Sequence, residues 1–398
     1  MTSEWNHFAL GEITELVIDY RGKTPKKLGG DWCKQGYRAL SAKNIKTGRI
    51  VQAETIRYID ESLYRKWMKD EVQRGDILIT SEAPFGQIFF WDSDEKIVLS
   101  QRLFCVRIKP EYDARFIYYY MTTPEFQSEL DGRATGTTVI GLRQPELMKC
   151  IIRCPEIQEQ KVIAAILSSI DAKIIANEKV NDNLQQQLFS LYENMATASP
   201  CSKEYTLSNL CDFQEGYVNP PQTHPEYFDG EVKWLRAVDI NESFIIETSR
   251  TLTKAGFESA KKSALLFEPN TIAISKSGTI GRLGIIADYM CGNRAVINIA
   301  PHDTNMLAFI YCFLKSKQRE FPDMAVGSVQ KNLYVSLLEP LSVSIPDNES
   351  LTAFNAVGAS ILGMIHNNCV ENTDLANLRD TILPKLMSGE LDVSSVLL

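Results

Sequence analysis

The chain has 398 residues, 44% of them apolar, which is enough for two or three cores. Its apolar runs are broken by charge well short of the roughly 18 residues that a membrane helix needs, and its opening MTSEWNHFALGE lacks the pattern of a signal peptide. A net charge of −8 argues against a nucleic-acid partner until it is divided into +2 for residues 1–155, −3 for 156–199, −2 for 200–346 and −5 for 347–398.

Those four segments are the expected organisation: a globular domain, a central helix, a second globular domain and a C-terminal helix. In the first, residues 21–49 hold nine basic side chains (Arg21, Lys23, Lys26, Lys27, Lys34, Arg38, Lys43, Lys46, Arg49) against one acid, Asp31, a local footprint for an anionic partner. Runs rich in β-branched and aromatic residues follow at 56–59, 76–80, 87–91 and 103–108, bounded by Gly, Pro and Asp, and they read as half-buried, mainly antiparallel strands. ARFIYYYMTT from Ala114 reads as a helix that is apolar on one face, and the loop ATGTTVIGLR leads to a last strand ending at Pro155. Nine cysteines without a CxxC pair, and only four histidines, point to reduced thiols, and no metal site is expected even where Cys150 and Cys154 flank that strand.

From Ile163 onward, Ile163, Leu167, Ile170, Ile174, Asn177, Asn181, Leu184, Leu188, Leu191 and Met195 step by 4, 3, 4, 3, the seam of a coiled coil about 50 Å long. On B-DNA that length corresponds to roughly one to one and a half helical turns.

The chain then repeats itself. Gly136 and Leu142 precede Pro155 by 19 and 13 residues, as Gly327 and Leu333 precede Pro346. LSAKNI from Leu40 answers LRAVDI from Leu235, ITSEAPFG from Ile79 answers ISKSGTIG from Ile274, and Gln101-Arg102 answers Asn293-Arg294 at an offset of 192. Strands at 271–275, 283–287 and 295–300 and a helix from Asn305 complete the second copy. The seam returns as Phe354, Gly358, Ile361, Ile365, Asn368, Asn372, Leu375, Arg379, Ile382 and Leu386, flawed at Gly358 and Arg379. Asn177 and Asn181 map onto Asn368 and Asn372. Buried amides satisfy one another only in register, so an antiparallel coil would pair Asn177 with Asn372 and Asn181 with Asn368. The expected fold is α+β: two strand-rich domains separated by two long helices packed as an antiparallel coiled coil, with an internal pseudo-twofold repeat.

The stretch PEIQEQKVIAAILSSIDAKI (155–174), the closing ILPKLMSGEL (382–391), the LGEI at 10–13 and the duplication together resemble the specificity subunit of Type I restriction-modification enzymes. The second helix departs from the pattern, with Glu349-Ser350-Leu351-Thr352 in place of EQK, so its first turn is expected to dock partners differently. The resemblance implies a non-catalytic subunit in which two target-recognition domains, 1–155 and 200–346, each read half of a bipartite, asymmetric double-stranded DNA site. The helices would set the spacer. Two modification subunits carrying an S-adenosylmethionine-dependent adenine methyltransferase would dock on the repeats, joined by restriction subunits carrying nuclease and ATP- and Mg-dependent translocation. The chain itself would hold no cofactor, would not bind a membrane, and would work in the cytoplasm.

Little competes with that reading. Asn219-Pro220-Pro221-Gln222 lacks the aromatic that would stack on a flipped base, Ser277-Gly278-Thr279-Ile280-Gly281 is not a dinucleotide loop, and no GxxxxGK[ST] occurs. A self-contained methyltransferase or nuclease is therefore disfavoured, and a coiled-coil adaptor without DNA is favoured only by the acidic charge. Positions identical in both copies (Leu40, Arg102, Gly136, Leu142, Pro155) read as scaffold or at most as phosphate contacts, which carry no sequence information, and Arg102 and Arg294 as internal hydrogen-bond donors. Positions that differ within matched loops are the candidate base readers: Lys43, Asn44, Glu82 and Arg143 in copy one, and Asp239, Lys276, Ser277, Arg282, Gln330 and Lys331 in copy two. Thr137 and Ser328, which follow the matched glycines, are candidate phosphate ligands.

Overall fold

A computed structural model describes residues 5–136, 140–198, 203–328, 330–393 and 396, and Thr137 lies outside them. The chain forms two compact units, Met1–Asp171 with Asn377–Leu398, and Ala172–Ala376. Each unit therefore takes one globular half together with a segment of both long helices.

Unit 1 starts with β1 (Asn6–Ala9) and β2 (Thr14–Asp19), then β3 (Tyr37–Leu40), β4 (Arg57–Ile59), helix α1 (Glu61–Trp67), β5 (Ile77–Thr80), β6 (Ile88–Phe90), β7 (Ile97–Leu99) and β8 (Leu103–Ile108). Helices α2 (Ala114–Met121) and α3 (Pro124–Arg133), strand β9 (Ile151–Cys154) and the long α4 (Ile157–Ala198) follow. The main sheet runs β2-β8-β5-β6, all antiparallel, a smaller one runs β4-β3-β7, and β1 pairs with β9. Strand β3 pairs with β7 in parallel, against the antiparallel expectation, because the connection between them runs through α1 and two strands of the main sheet.

The β5 and β8 strands are buried on both faces, where half-buried strands were expected. Alternate residues go to two different cores: Ile77, Ile79, Phe104 and Val106 join the cluster built on Phe116, Phe126, Leu167 and Leu386, whereas Leu78, Leu103 and Cys105 join that of Leu40, Trp67 and Trp91. Helix α2 departs likewise. Phe116 through Met121 are all buried, since the sheet, α3 and the seam helices enclose it, so a one-faced apolar pattern does not describe it.

Unit 2 repeats the plan with β10 (Lys203–Thr206), β11 (Cys211–Glu215), β12 (Phe228–Leu235), β13 (Phe244–Ile245), β14 (Thr251–Leu252), β15 (Leu266–Phe267), β16 (Ile272–Ser275), β17 (Leu283–Ile286), β18 (Met290–Gly292) and β19 (Val296–Pro301). Helix α5 (Leu307–Lys317), β20 (Ser342–Ile345) and the long α6 (Asn348–Met387) complete it. Its sheets run β11-β19-β16-β17-β13 and β14-β12-β18-β15, and β10 pairs with β20. The β12–β18 pair is parallel, as is its counterpart β3–β7, and β13–β17 is parallel too. Helix α5 is buried from Leu307 to Leu314, again on every side.

One sequence match is displaced by a residue. Ser100 N–H donates to the Leu40 carbonyl and Asn293 N–H to the Leu235 carbonyl, while Ser81 N–H donates to Arg102 and Lys276 N–H to Ala295. The backbone thus equates Arg102 with Ala295 and Gln101 with Arg294, an offset of 193 and not 192. A shared Gln/Asn-Arg dipeptide at the same turn made the wrong alignment look better than the right one.

The two flaws in the second seam have structural causes. Arg379 bonds Asp171 at 2.8 Å, and Asp171 also accepts the Tyr119 hydroxyl at 2.6 Å, so the residue leaves the seam for a polar contact with α2. Burial and the Asp171 carboxylate together hold the Tyr119 hydroxyl well above its usual pKa. Gly358 lies where a Cβ would come within 2.6 Å of Ala308 Cβ on α5. At the end of α4 the seam also turns: Leu191 is 42% exposed, and Tyr192 takes its place against Phe309 and Phe354. The Gln160 amide of the EQK turn is buried, accepting from Asp113 N–H at 2.9 Å and donating to the Pro155 carbonyl at 2.8 Å. In the second helix, Leu351 replaces Gln160, and Asp347 caps the turn through Ser350. No described helix is long and apolar enough to cross a membrane.

Candidate nucleic-acid interface

Each unit brings two matched loops together by the same backbone contact. In unit 1, Leu142 N–H donates to the Ser81 carbonyl at 3.0 Å, and Thr135 and Gly141 bridge at the neck of the loop that carries Arg143. In unit 2, Leu333 N–H donates to the Lys276 carbonyl at 2.9 Å, and Val326 bridges Asn332. The side chains on these shared frames differ. Glu82 is paired with Arg102 at 3.1 Å, and Arg143 is exposed beside it on the second loop. In unit 2 a cavity of about 480 Å3 opens between the loops, lined by Gly278, Ile280, Pro322, Asp323, Gln330 and Lys331. Gln330, Lys331 and Ser328 are exposed there, and Ser277 and Arg282 are half-buried.

The basic segment divides into anchored and presented cations. The Arg21 guanidinium spans both Asp19 oxygens at 2.8 Å, reaches the Leu142 carbonyl and lies 4.0 Å over the Phe104 ring. Lys23 donates to the Trp67 carbonyl and sits 3.7 Å above the Tyr20 ring, and burial, with nearby Lys69, lowers its pKa. Lys27 returns to the Gly22 carbonyl. Lys26, Lys43, Lys46 and Arg49 are exposed, and their side chains make no hydrogen bond or ion pair with the described residues. Lys46 and Arg49 face each other across a two-residue ladder. That ladder is fastened to the Glu82 loop, since Thr47 N–H donates to Gln87 Oε1 at 3.0 Å and Gly48 N–H to the Ile88 carbonyl. Lys46, Arg49, Glu82, Arg102 and Arg143 thus belong to one interlocked set of loops.

Three candidate readers are not presented. Asn44 is 1% exposed: its Oδ1 accepts Ser41 N–H and Oγ–H, and its Nδ2 donates to Thr55 Oγ1 and the Gln52 carbonyl. Asp239, with a side chain 3% exposed, caps the equivalent turn by accepting Arg236 N–H at 2.9 Å and Ser249 N–H at 3.0 Å. The Asn-to-Asp difference between copies conserves a cap and has no edge left for a base. Lys276, 13% exposed, is bound to Glu215 at 2.8 Å with its ammonium 4.8 Å over the Tyr334 ring. Arg294 also departs from expectation: it is exposed, and its side chain has no hydrogen bond or ion pair among the described residues. Arg102 is half-exposed with Glu82 as partner, not an internal backbone donor.

The seam carries a polar layer inside unit 2. Asn177 Nδ2 donates to Asn372 Oδ1 at 2.9 Å and to Glu371 Oε2 at 2.7 Å, and Asn368 Nδ2 donates to Asn181 Oδ1 at 2.8 Å. Numbers rise on one helix as they fall on the other, so the helices run antiparallel. Lys173 closes the layer on Glu371 at 3.1 Å, and the Asn177 amide together with Lys173 holds the Glu371 carboxyl below its usual pKa.

The family model of the Type I restriction modification DNA specificity domain matches the chain twice, over residues 2–186 and 202–373. The specificity subunit of the Type I restriction enzyme MjaIX from Methanocaldococcus jannaschii is 25% identical over 345 residues, covering 81% of this chain and 79% of that one. That of HindI from Haemophilus influenzae is 26% identical over 407 residues, covering 81% and 88%. Among solved structures, the Type I restriction-modification S subunit of M. genitalium superposes with a TM-score of 0.56 at 16% identity, over 96% of both chains. This last likeness concerns the fold.

Proposed function

Since the chain belongs to the Type I restriction-modification DNA specificity family, we propose that it is the DNA-specificity subunit of such a complex, with each globular half reading one part of a bipartite, asymmetric target in the major groove. The observation that carries this reading is the pair of matched loop frames. Both are closed by one equivalent hydrogen bond, from Leu142 to Ser81 and from Leu333 to Lys276, yet they present different side chains. A catalytic loop keeps its chemistry when duplicated, whereas two readers of different sequences keep the frame and change the contacts.

On this reading Lys26, Lys43, Lys46 and Arg49 meet phosphates or bases on one half-site, with Glu82 and Arg143 beside them. Ser277, Arg282, Ser328, Gln330 and Lys331 meet the other. The seam helices set the spacer and dock two modification subunits, which carry the S-adenosylmethionine-dependent methyl transfer, and restriction subunits bring ATP- and Mg-dependent translocation. The modest positive charge of the first half predicts weak DNA binding by the chain alone and tight, salt-dependent binding once modification subunits are present. Mapping methylated adenines in cells that carry the complex tests the reading: a split, asymmetric site is expected, and a palindromic or unsplit site overturns it.

A further inference from the structure

We propose that the turn before β19 is a base-reading position, at which Arg294 takes a guanine in the half-site bound by unit 2. The inference rests on the DNA-reading role above. The backbone bonds that equate Gln101 with Arg294 place both at the same turn, one residue ahead of Arg102 and Ala295. Both are exposed, and neither side chain has a hydrogen bond or ion pair among the described residues. Exposed, unoccupied and different at one structural address, they are what two readers of different sequences would carry. The chemistry of the exchange is specific, because a glutamine amide matches the N6 and N7 of adenine, whereas a guanidinium fork matches the O6 and N7 of guanine. A phosphate contact would not explain it: such contacts carry no sequence information, and an uncharged glutamine is a poor substitute for an arginine clamp.

The surroundings of Arg294 reinforce the choice. It lines a cavity of about 460 Å3 with Tyr217, Asn219, His224 and Tyr227. The Asn219 Nδ2 is buried there without a partner among the described residues, a donor whose desolvation nothing within the described chain offsets. Tyr217 is held by its hydroxyl on Glu215 at 2.8 Å, and the His224 ring stacks on Tyr227 at 4.9 Å with its Nδ1 on Glu226, so the wall is ordered before any ligand arrives. The Asn219 amide is closed off from any base, so the selection falls to the exposed arginine fork, which suits a partner that offers paired acceptors, as the guanine edge does in the major groove.

The test is selection from duplexes randomised in both half-sites, using the chain assembled with modification subunits, as wild type, Arg294→Gln and Arg294→Lys. Wild type is expected to select guanine at one base pair of the unit 2 half-site. Arg294→Gln should move that preference toward adenine, lowering guanine discrimination roughly tenfold or more, with the other half-site unchanged. Arg294→Lys keeps the charge and loses the fork, so guanine discrimination should fall while the salt dependence of binding stays the same. Far-UV circular dichroism and retained selection at the first half-site establish that each variant is folded. Uniform weakening on all sequences would make Arg294 a phosphate contact and overturn the inference, as would an unchanged profile. If wild type selects no sequence at all, the specificity reading itself falls.

Discussion

Gly358 and Gly363 lie in the same helix, α6, and replacing each by alanine should stabilise the chain at Gly363 but give no gain or a loss at Gly358. In an exposed helix interior the change gains about 1 kcal/mol through backbone entropy and propensity. At Gly363 an added Cβ meets nothing within 4 Å, so that gain should appear in full. At Gly358 the same atom would sit 2.6 Å from Ala308 Cβ and 3.4 Å from Leu188 Cδ1. Carbon atoms pack at about 3.5–4.0 Å, so α5 and α6 must part locally by roughly 1 Å. Ala308 is buried among Phe309, Phe313 and Phe354, which leaves no slack, and overpacking of this kind costs about 1–3 kcal/mol. The propensity gain is common to both variants, so the gap between them isolates the contact at about 1–3 kcal/mol. Urea unfolding of the full chain, followed by far-UV circular dichroism, measures it. Equal shifts in midpoint for the two variants would refute the close approach of α5.

The Asn layer predicts coupling. Asn177→Leu strips a donor from Asn372 and Glu371 and should cost about 1–3 kcal/mol, whereas adding Asn372→Leu should cost much less than a second independent loss; strictly additive effects would rule out the pair. Glu371 supplies a pH dependence whose sign is fixed. Its folded pKa lies below the ordinary 4.5, so its contribution is present above that value and lost as the pH falls below it. The midpoint difference between wild type and Glu371→Gln should therefore shrink on acidification below about pH 4.5, and a constant difference contradicts the assignment. Asn44→Ala and Asp239→Ala should each cost about 0.5–2 kcal/mol as lost caps while leaving the selected base sequence intact. Altered base preference without lost stability would return these residues to the list of readers.

The seam was legible because its signal is a strict periodicity, and a polar residue that interrupts such a period in two places at matching registers has few explanations. The strands were legible as runs, but their surroundings were not. Whether Leu78 faces water or a second core depends on whether another sheet covers it, and nothing in ILIT records that. Parallel pairing of β3 with β7 escaped for a similar reason, since it depends on where the chain returns after the main sheet. The comparison of copies matched the two loop frames through their spacing, and the Leu142–Ser81 and Leu333–Lys276 bonds are equivalent. It failed on single residues, because variation between copies marks a position and not a role. Asn44 and Asp239 vary while doing the same work, and Arg102 and Arg294 look identical while standing at different places in the turn. Only backbone partners separate those cases. Arg379 looked like a defect because the seam pattern has no way to show that Asp171 and Tyr119 await it.

The way the compact units divide the helices bears on how such a chain can be recombined. Unit 2 is an insertion in unit 1, bounded by 171/172 and 376/377. One crossover at the sequence repeat, near residue 200, would part Leu188 and Tyr192 from the Phe309 and Phe354 against which they pack, joining a helix of one parent to a core of the other. Two crossovers at the unit borders would transfer a reader with its share of the coil and its Asn layer intact. The compact unit and the visible repeat are therefore different segments, and a chimera cut at the unit borders keeps every contact of unit 2 described above.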